Sequence, residues 1–371
     1  MRVPGNLVQL LPVSAVFILI AAFINPTYAQ SLPLEIPFAA EWAASAHARA
    51  SAEAFNHWND EGMVPIPCAR CHTTPGFRDY IGADGSAPGV LDKPALTGSV
   101  IACIACHSKV TRALTKVTFP SGLEVKNLGP ESRCMTCHQG RESTISVNKA
   151  VAGLEEDNVD KKLKFINIHY RVAAATRYGT QAKGAYEYPR KHYNGLYLHD
   201  KEASVCIDCH TLHTFSVDVA NCDTCHRQAK KKKDFKNIRR TKGDFDGDMN
   251  EKEGIAHEIN TLHEALYSAI QAYGKNVAGQ PIVYEPHTYP YFFADTNRNG
   301  KPDGKEAIFP NQYKSWTPRL LKAAYNYQFV ANDPGVYTHN PMYVIQILYD
   351  SLADLATKVP VKMSEMLRPQ P

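Results

Sequence analysis

The sequence predicts a mainly α chain with much irregular structure, built in two parts: a cysteine-rich N-terminal half and a helical C-terminal third. Three observations carry this. All 10 Cys of the 371 residues fall in pairs, each followed at once by His, between residues 68 and 226. Apolar residues then recur at helical spacing from 255 to 355, where there is no Cys. The stretches between the Cys pairs, such as 82–94 and 120–131, are polar and contain Gly and Pro. They hold too few apolar side chains to fold by burial alone.

Taken from the N-terminus, residues 1–29 read as a secretory signal peptide. Arg2 gives a positive start, and the run from Leu7 to Phe23 is mostly apolar around Val13, Val16, Phe17, Ile18, Leu19 and Ile20. Thr27-Tyr28-Ala29 presents small residues where a signal peptidase reads, so cleavage is expected near Ala29. A membrane anchor is the alternative, but the run is short for a span and Pro26 follows it closely. No later segment is apolar enough to cross a membrane, and no Cys near the cleavage point suggests a lipid anchor. The expectation is export to the periplasm, the outer cell surface or the medium. At 44% hydrophobic and 21% charged, with a formal net charge of +4, the composition is that of an ordinary globular chain.

The five pairs are Cys68-Ala-Arg-Cys71-His72, Cys103-Ile-Ala-Cys106-His107, Cys134-Met-Thr-Cys137-His138, Cys206-Ile-Asp-Cys209-His210 and Cys222-Asp-Thr-Cys225-His226. C-x-x-C-H is the haem c attachment sequence. Two thiols three positions apart add across the two vinyl groups of one haem, and the adjacent His lies under the porphyrin as proximal iron ligand. Disulfides suit an exported chain but require no His after each second Cys. Zinc needs four ligands, and five pairs divide badly into such sites. Thioredoxin-like pairs come singly in a βαβ setting. Five haems are therefore expected, supplying the core of residues 30–229.

An electron-carrying haem needs a second axial ligand, and a second His keeps its potential lower than Met does. Of the 7 Met, Met135 sits inside an attachment motif and Met63 alone lies near one in the chain, so His at both axial positions is the default. His213 follows His210 too closely to bind the same iron and suits a neighbouring haem. His199 precedes Cys206 by seven residues. His47 and His57 lie on an expected helix from Glu41 to Asn59, on different faces and hence for different haems. His169 stands between a charged and an Ala-rich stretch. These five are the candidate distal ligands, with His339 and His192 in reserve.

The segments Trp42-Ala-Ala-Ser-Ala-His47 to His57-Trp58, Cys68 to Gly76, Cys134 to Arg141, and Trp316-Thr-Pro-Arg-Leu-Leu to Tyr349-Asp350-Ser351 resemble a group of exported multihaem c-type cytochromes. The resemblance covers most of residues 40–355. It implies a role in dissimilatory metal reduction or extracellular electron transfer, and some members of that wider class assemble into haem-wired filaments. By position it implies His47, His57, His169, His199 and His213 as ligands.

Beyond the haem region, residues 230–254 read as a basic linker followed by an acidic loop. Lys230 to Lys233, Lys236, Arg239, Arg240 and Lys242 form the basic run, read as a solvated linker or as partner to haem propionates. Nucleic acid is not an expected partner in an exported compartment. Residues 255–371 form the helical domain. Ile255, Ile259, Leu262, Leu266, Ile270 and Tyr273 stripe its first helix, and Pro318 to Phe329 make a second. Asn340 caps a third with Pro341 at its first position and a stripe of Ile345, Leu348, Leu352 and Leu355.

Within this domain, Asp295, Asn297, Asn299, Lys301, Asp303 and Glu306 occupy positions 1, 3, 5, 7, 9 and 12 of a calcium loop, Lys301 through its carbonyl, with Gly300 at position 6. Asp244, Asp246, Asp248 and Asn250 form a less regular second candidate, with Glu253 nearby and its Gly out of register. The function expected is electron transfer through five bis-His haems to redox partner proteins or an extracellular acceptor. One alternative is a multihaem oxidoreductase with an open iron position, though every motif ends in His. Another is a filament subunit, in which His47 could complete a haem of a neighbouring chain.

Overall fold

A computed structural model describes residues 36–371. The chain divides into two compact units, 1–39 and 40–371, and all five Cys pairs and the long C-terminal helices lie in the second. The expected signal peptide lies outside the described residues.

The fold is mainly helical with few strands. Short helices joined by irregular chain occupy residues 36–230, and long helices follow. Strands occur only as three two-stranded antiparallel ribbons among the described residues: Met63–Val64 with Ala95–Leu96, Val117–Thr118 with Glu124–Val125, and Ile282–Tyr284 with Phe292–Ala294. The expected 41–59 helix is broken into three short pieces, because Ser45 and Ala52 take extended backbone conformations. Long-range bonds favour the break. Trp42 Nε1 donates to Ile101 O (3.0 Å), and Ile101 N donates to His47 O (3.1 Å).

The C-terminal helices follow their apolar stripes closely. Ile255–Asn276 buries Ile255, Ile259, Leu262, Leu266, Ile270 and Tyr273 against Pro318–Ala331 and Pro341–Leu355. Pro318–Ala331 starts at Thr317, whose hydroxyl accepts from Leu320 N. Pro341–Leu355 starts at Asn340, whose Oδ1 accepts from Tyr343 N at 3.2 Å. Pro318–Ala331 lies at the centre and buries polar groups as well. Asn326 exchanges hydrogen bonds with the backbone of Tyr186 at 2.7 and 3.0 Å. Arg319 Nε donates to Asp157 Oδ1 at 2.7 Å, and Lys358 Nζ approaches Asp157 Oδ2 at 2.8 Å.

One cluster of buried side chains runs from Val117 to Val359 and draws on both sides of the 230–254 segment. Among the described residues, those before 117 contribute two small satellite clusters, Val64/Ala69/Ala95 and Phe77/Ile81/Ala105. In the 230–254 segment the Lys230 to Lys233 side chains are exposed, in keeping with a solvated run. Arg239 is different. Its guanidinium is buried, pairs with Glu258 and donates to Glu253 O (3.2 Å) and Thr241 O (3.0 Å), pinning the segment to the Ile255–Asn276 helix.

Candidate haem and metal centres

Each Cys pair sits on or beside a short helix: Ile66–His72, Cys103–His107, Glu131–Cys137, Cys206–Cys209 and Val219–Asp223. A helical turn brings positions i and i+3 to one face, which is what two thioether bonds to one porphyrin require. Asp208 fixes the start of the fourth helix by accepting from Ser204 N (2.8 Å) and Val205 N (2.7 Å). None of the 10 Cys forms a disulfide.

The structure brings four of the five motif histidines opposite a second imidazole. His72 and His169 have ring centroids 5.7 Å apart and their Nε2 atoms 3.4 Å apart. His107 and His213 lie at 5.9 Å, His138 and His47 at 6.2 Å, and His226 and His199 at 5.9 Å. The fifth, His210, has His339 as an electrostatic neighbour. Two imidazoles on opposite sides of one metal, each bonded at about 2 Å, would present nitrogens roughly 4 Å apart and so ring centroids roughly 6 Å apart. The separations therefore fit pairs of axial ligands. Zinc sites fit poorly: among the described residues, no three Cys and His ligand atoms gather within 4.8 Å of one another.

The outer nitrogens are also placed. His72 Nδ1 is 2.6 Å from Ala54 O, His138 Nδ1 2.9 Å from Arg171 O, and His210 Nδ1 3.1 Å from Phe215 O. With Nδ1–H donating to a carbonyl, the Nε2 lone pair faces the site. Burial holds His47 and His169 at a pKa of about 4, helped by the facing His138 and His72. Burial also lowers His72, His138 and His210. All are thus neutral near pH 7, the form that binds a metal.

Two of the facing histidines sit in strained backbone. His169 (φ 80°) and His213 (φ 70°) lie in the left-handed region, as do Arg171 (φ 58°) and Phe215 (φ 55°) two residues later. Such residues cost energy and concentrate at functional sites. Here the same three-residue turn occurs twice. Its first residue faces the motif His of one site, and its third offers its carbonyl to the motif His of another. His169 faces His72 while Arg171 O holds His138; His213 faces His107 while Phe215 O holds His210.

Among the expected distal ligands, His47, His169, His199 and His213 thus stand opposite motif histidines. His57 stands elsewhere. It is exposed, its Nδ1 lies 2.7 Å from Glu53 Oε1, and its ring meets Trp58 edge-on. The break in the 41–59 helix turns it away, and Trp58, not His57, packs on His72. Of the reserves, His339 lies beside the fourth motif and His192 is exposed.

The two acidic loops are built alike. In the first, Asn299 N donates to Asp295 Oδ1 (3.1 Å) and Asn297 Oδ1 (2.9 Å), Gly300 N to Asp295 Oδ2 (2.9 Å), and Lys301 N to Asn299 Oδ1 (2.7 Å). In the second, Asp248 N donates to Asp244 Oδ1 (3.2 Å) and Asp246 Oδ1 (3.3 Å), Met249 N to Asp244 Oδ2 (2.6 Å), and Asn250 N to Asp248 Oδ1 (2.8 Å). Positive φ falls at the fourth and sixth positions of both: Arg298 (59°) and Gly300 (76°), Gly247 (81°) and Met249 (68°). The Gly that looked out of register is at the fourth position, and exposed Met249 adopts the sixth-position conformation despite its side chain.

Each loop is closed by a glutamate. Glu306 Oε1 accepts from Thr296 N (2.7 Å) and Asn297 N (3.0 Å). In the second loop Glu258, on the following helix, accepts in the same way from Phe245 N (2.7 Å) and Asp246 N (3.0 Å), a role that sequence spacing did not reveal. Buried Glu306 Oε2 and Asp246 Oδ2 meet no donor in hydrogen-bonding geometry. Burial, then neighbouring carboxylates, push Glu253 up to about 7, and burial lifts Asp246 to about 6. Both are signs of gathered acids whose mutual repulsion and burial Arg239 does not offset.

Comparison with known proteins accords with the haem attachment motifs. Residues along 82% of the chain are 26% identical, over 374 aligned positions, to the C-type polyheme cytochrome OmcC of Geobacter sulfurreducens (strain ATCC 51573 / DSM 12127 / PCA), covering 44% of that protein. The chain is homologous to polyheme c-type cytochromes. A second relative, the C-type polyheme cytochrome OmcB of Geobacter sulfurreducens (strain DL-1 / KN400), is 25% identical over 81% of this chain and 45% of its own length. The chain thus spans about half the length of these relatives. No family model and no solved structure matches it. Among the described residues, no helix is long and apolar enough to cross a membrane.

Proposed function

We propose that this protein carries electrons through five covalently attached haem c groups, each held between two histidines, outside the cytoplasm. The observation that carries the reading is the set of imidazole pairs facing one another beside the Cys pairs. The ligand pairs are His72–His169, His107–His213, His138–His47, His226–His199 and His210–His339, the last replacing His57. When bound, the haems supply the ferrous–ferric couple. The chain fixes their spacing, provides a ligand on both faces and sets each imidazole by its Nδ1 partner.

Proximity of the thiols suggests an order. Cys71 lies within hydrogen-bonding reach of Cys137, and Cys134 within reach of Cys206. The Cys206–Cys209 helix packs on Val219–Asp223. The first, third, fourth and fifth sites then follow in line, with the second beside the third, since Cys106 lies in the electrostatic field of Cys134 and Cys137. A ligand on both faces of each iron favours a carrier over an enzyme with an open position. His47 faces His138 of its own chain, which favours ligation within the chain over completion of a neighbour's haem.

Calcium at the two acidic loops belongs to the same proposal, because the buried unpartnered oxygens of Glu306 and Asp246 call for a cation. Ligands would be Asp295, Asn297, Asn299, the Lys301 carbonyl, Asp303 and Glu306, and at the second loop Asp244, Asp246, Asp248 and Asn250. The purified holoprotein tests both readings. Haemochrome quantification is expected to give five haems per chain and the resting spectrum only low-spin iron; two or fewer haems, or high-spin iron in the resting protein, overturns the carrier. Chelation followed by metal analysis and a melting curve tests calcium. Loss of bound calcium with a lower Tm is expected, and an unchanged Tm with no calcium released removes it.

A further inference from the structure

The five sites differ in one respect that bears on how readily each is reduced. The Nδ1 partners of His72, His138 and His210 are main-chain carbonyls. His339 is held by a carboxylate. Its Nδ1 lies 2.9 Å from Asp333 Oδ1 and 2.8 Å from Asp333 Oδ2, and Asp333 is only 2% exposed.

The surrounding backbone is shaped to hold this pair. Asp333 Oδ1 also accepts from Gly335 N at 3.0 Å, which orients the carboxylate. The His339 ring lies flat against Gly335, where a Cβ would come within 2.5 Å of Cε1 and 3.0 Å of Nδ1. Any side chain at 335 would displace the imidazole. His339 N donates to Gly335 O at 2.9 Å, closing the turn that carries the ring. The neighbouring Asn332 anchors the segment to another site, donating through Nδ2 to His169 O (2.8 Å) and accepting from Arg171 N (2.8 Å).

We infer that Asp333 is a positioning residue that, through His339, makes the haem of the fourth motif the hardest of the five to reduce. The inference rests on His339 being the axial partner of His210. A hydrogen bond from Nδ1–H to a carboxylate raises the basicity of Nε2 more than one to a neutral carbonyl does. A more basic ligand and a buried negative charge both favour ferric over ferrous iron, because the ferric state carries one more positive charge. Lying between the third and fifth sites, this haem forms a step within the route that electrons must cross.

The test uses the holoprotein and reads potentials, which a purely structural role would leave alone. In a spectroelectrochemical titration, Asp333→Asn keeps the shape and the hydrogen bond but removes the charge. The lowest of the five components is expected to move up, with its ferrous-to-ferric ratio at a fixed potential rising about tenfold, or about 59 mV for one electron. Asp333→Glu retains the charge and is expected to leave that component low. His339→Ala separates the inference from its premise. One haem turning high-spin, and the lowest component leaving the low-spin set, is the expected result. If His339→Ala leaves every haem low-spin, the ligand assignment itself falls. If it removes a higher component, the inference is overturned even should Asp333→Asn fail to fold. It is also overturned if Asp333→Asn folds and leaves the lowest component in place.

Discussion

The helices after residue 255 and the attachment region before residue 117 solve the folding problem in opposite ways. In the first, Leu262, Leu266, Ile270, Tyr273, Leu321, Leu348 and Leu352 are fully buried against one another. In the second, the described residues offer as apolar core two clusters of three buried residues and buried Phe55, while Ile66, Leu96, Ile104 and Val110 stay exposed at 38%, 70%, 47% and 40%. Ile104 lies inside a Cys pair. Large apolar side chains left open in the peptide fold mark a surface that something else covers, and in the proposed holoprotein porphyrin faces do so. One region carries its core in its sequence; the other receives it as a covalent cofactor.

The largest effect that could break this comparison comes from making the chain without haem attachment, by replacing all 10 Cys with Ser. Hydrogen exchange read by mass spectrometry is expected to show residues 40–116 exchanging like an unfolded chain while 255–355 keeps slow amides. Uniform loss of protection would mean that the C-terminal helices also depend on haem. Next in size is Leu266→Ala in the holoprotein. Leu266 is fully buried, so the change is expected to cost about 2–5 kcal/mol in denaturant unfolding. The haem count is expected to stay at five, since the residue belongs to the self-sufficient region.

How far the sequence alone can be read follows the same division. The stripe from Ile255 to Tyr273 and the Asn340 cap follow from local periodicity and cap chemistry, and the helices form where those signals lie. The attachment motifs are plain because covalent chemistry fixes their spacing. The 41–59 stretch misleads: its local pattern is helical, but bonds from Trp42 and His47 to Ile101, 59 residues from Trp42, override it. That break leaves His57 exposed and turned to Glu53, within the electrostatic field of His72 but without a ring contact to it. His339 ranks only as a reserve in the sequence because its placement depends on a turn at Asp333–Gly335 that no periodicity announces. Glu258 escapes notice because it closes its loop from outside the 12-residue window.

A smaller effect sharpens the comparison where the two regions meet. Asp157, N-terminal to the basic segment, binds Arg319 and Lys358 and accepts from the Tyr273 hydroxyl at 2.8 Å. Partial burial pushes its carboxyl up, but these partners outweigh it and hold the group below the usual carboxylate range. A depressed folded value stabilises the protein above the unfolded pKa of about 3.9 and is lost as the pH falls through and below it. Asp157→Asn is expected to cost about 1.5–3 kcal/mol near pH 7, the scale of a hydrogen bond to a charged group. The gap to the parent protein should begin to narrow below about pH 5 and go on narrowing as the pH falls towards the depressed folded value, measured by denaturant unfolding at each pH. A gap that persists at the acid end would assign the effect to packing.

The smallest expected effect discriminates most sharply within the attachment region. His57 and His169 are both histidines near the first motif, but only His169 faces His72. His169→Ala should convert one haem of the five to high spin, visible in the resting electronic and EPR spectra, because it removes an axial nitrogen. His57→Ala should leave all five low-spin and change stability by less than about 0.5 kcal/mol, as expected of an exposed side chain whose partner is a surface glutamate. If His57→Ala instead produces the high-spin signal, the short pieces replacing the 41–59 helix rearrange around the bound haem. The attachment region would then owe not only its core but also the path of its backbone to the cofactor.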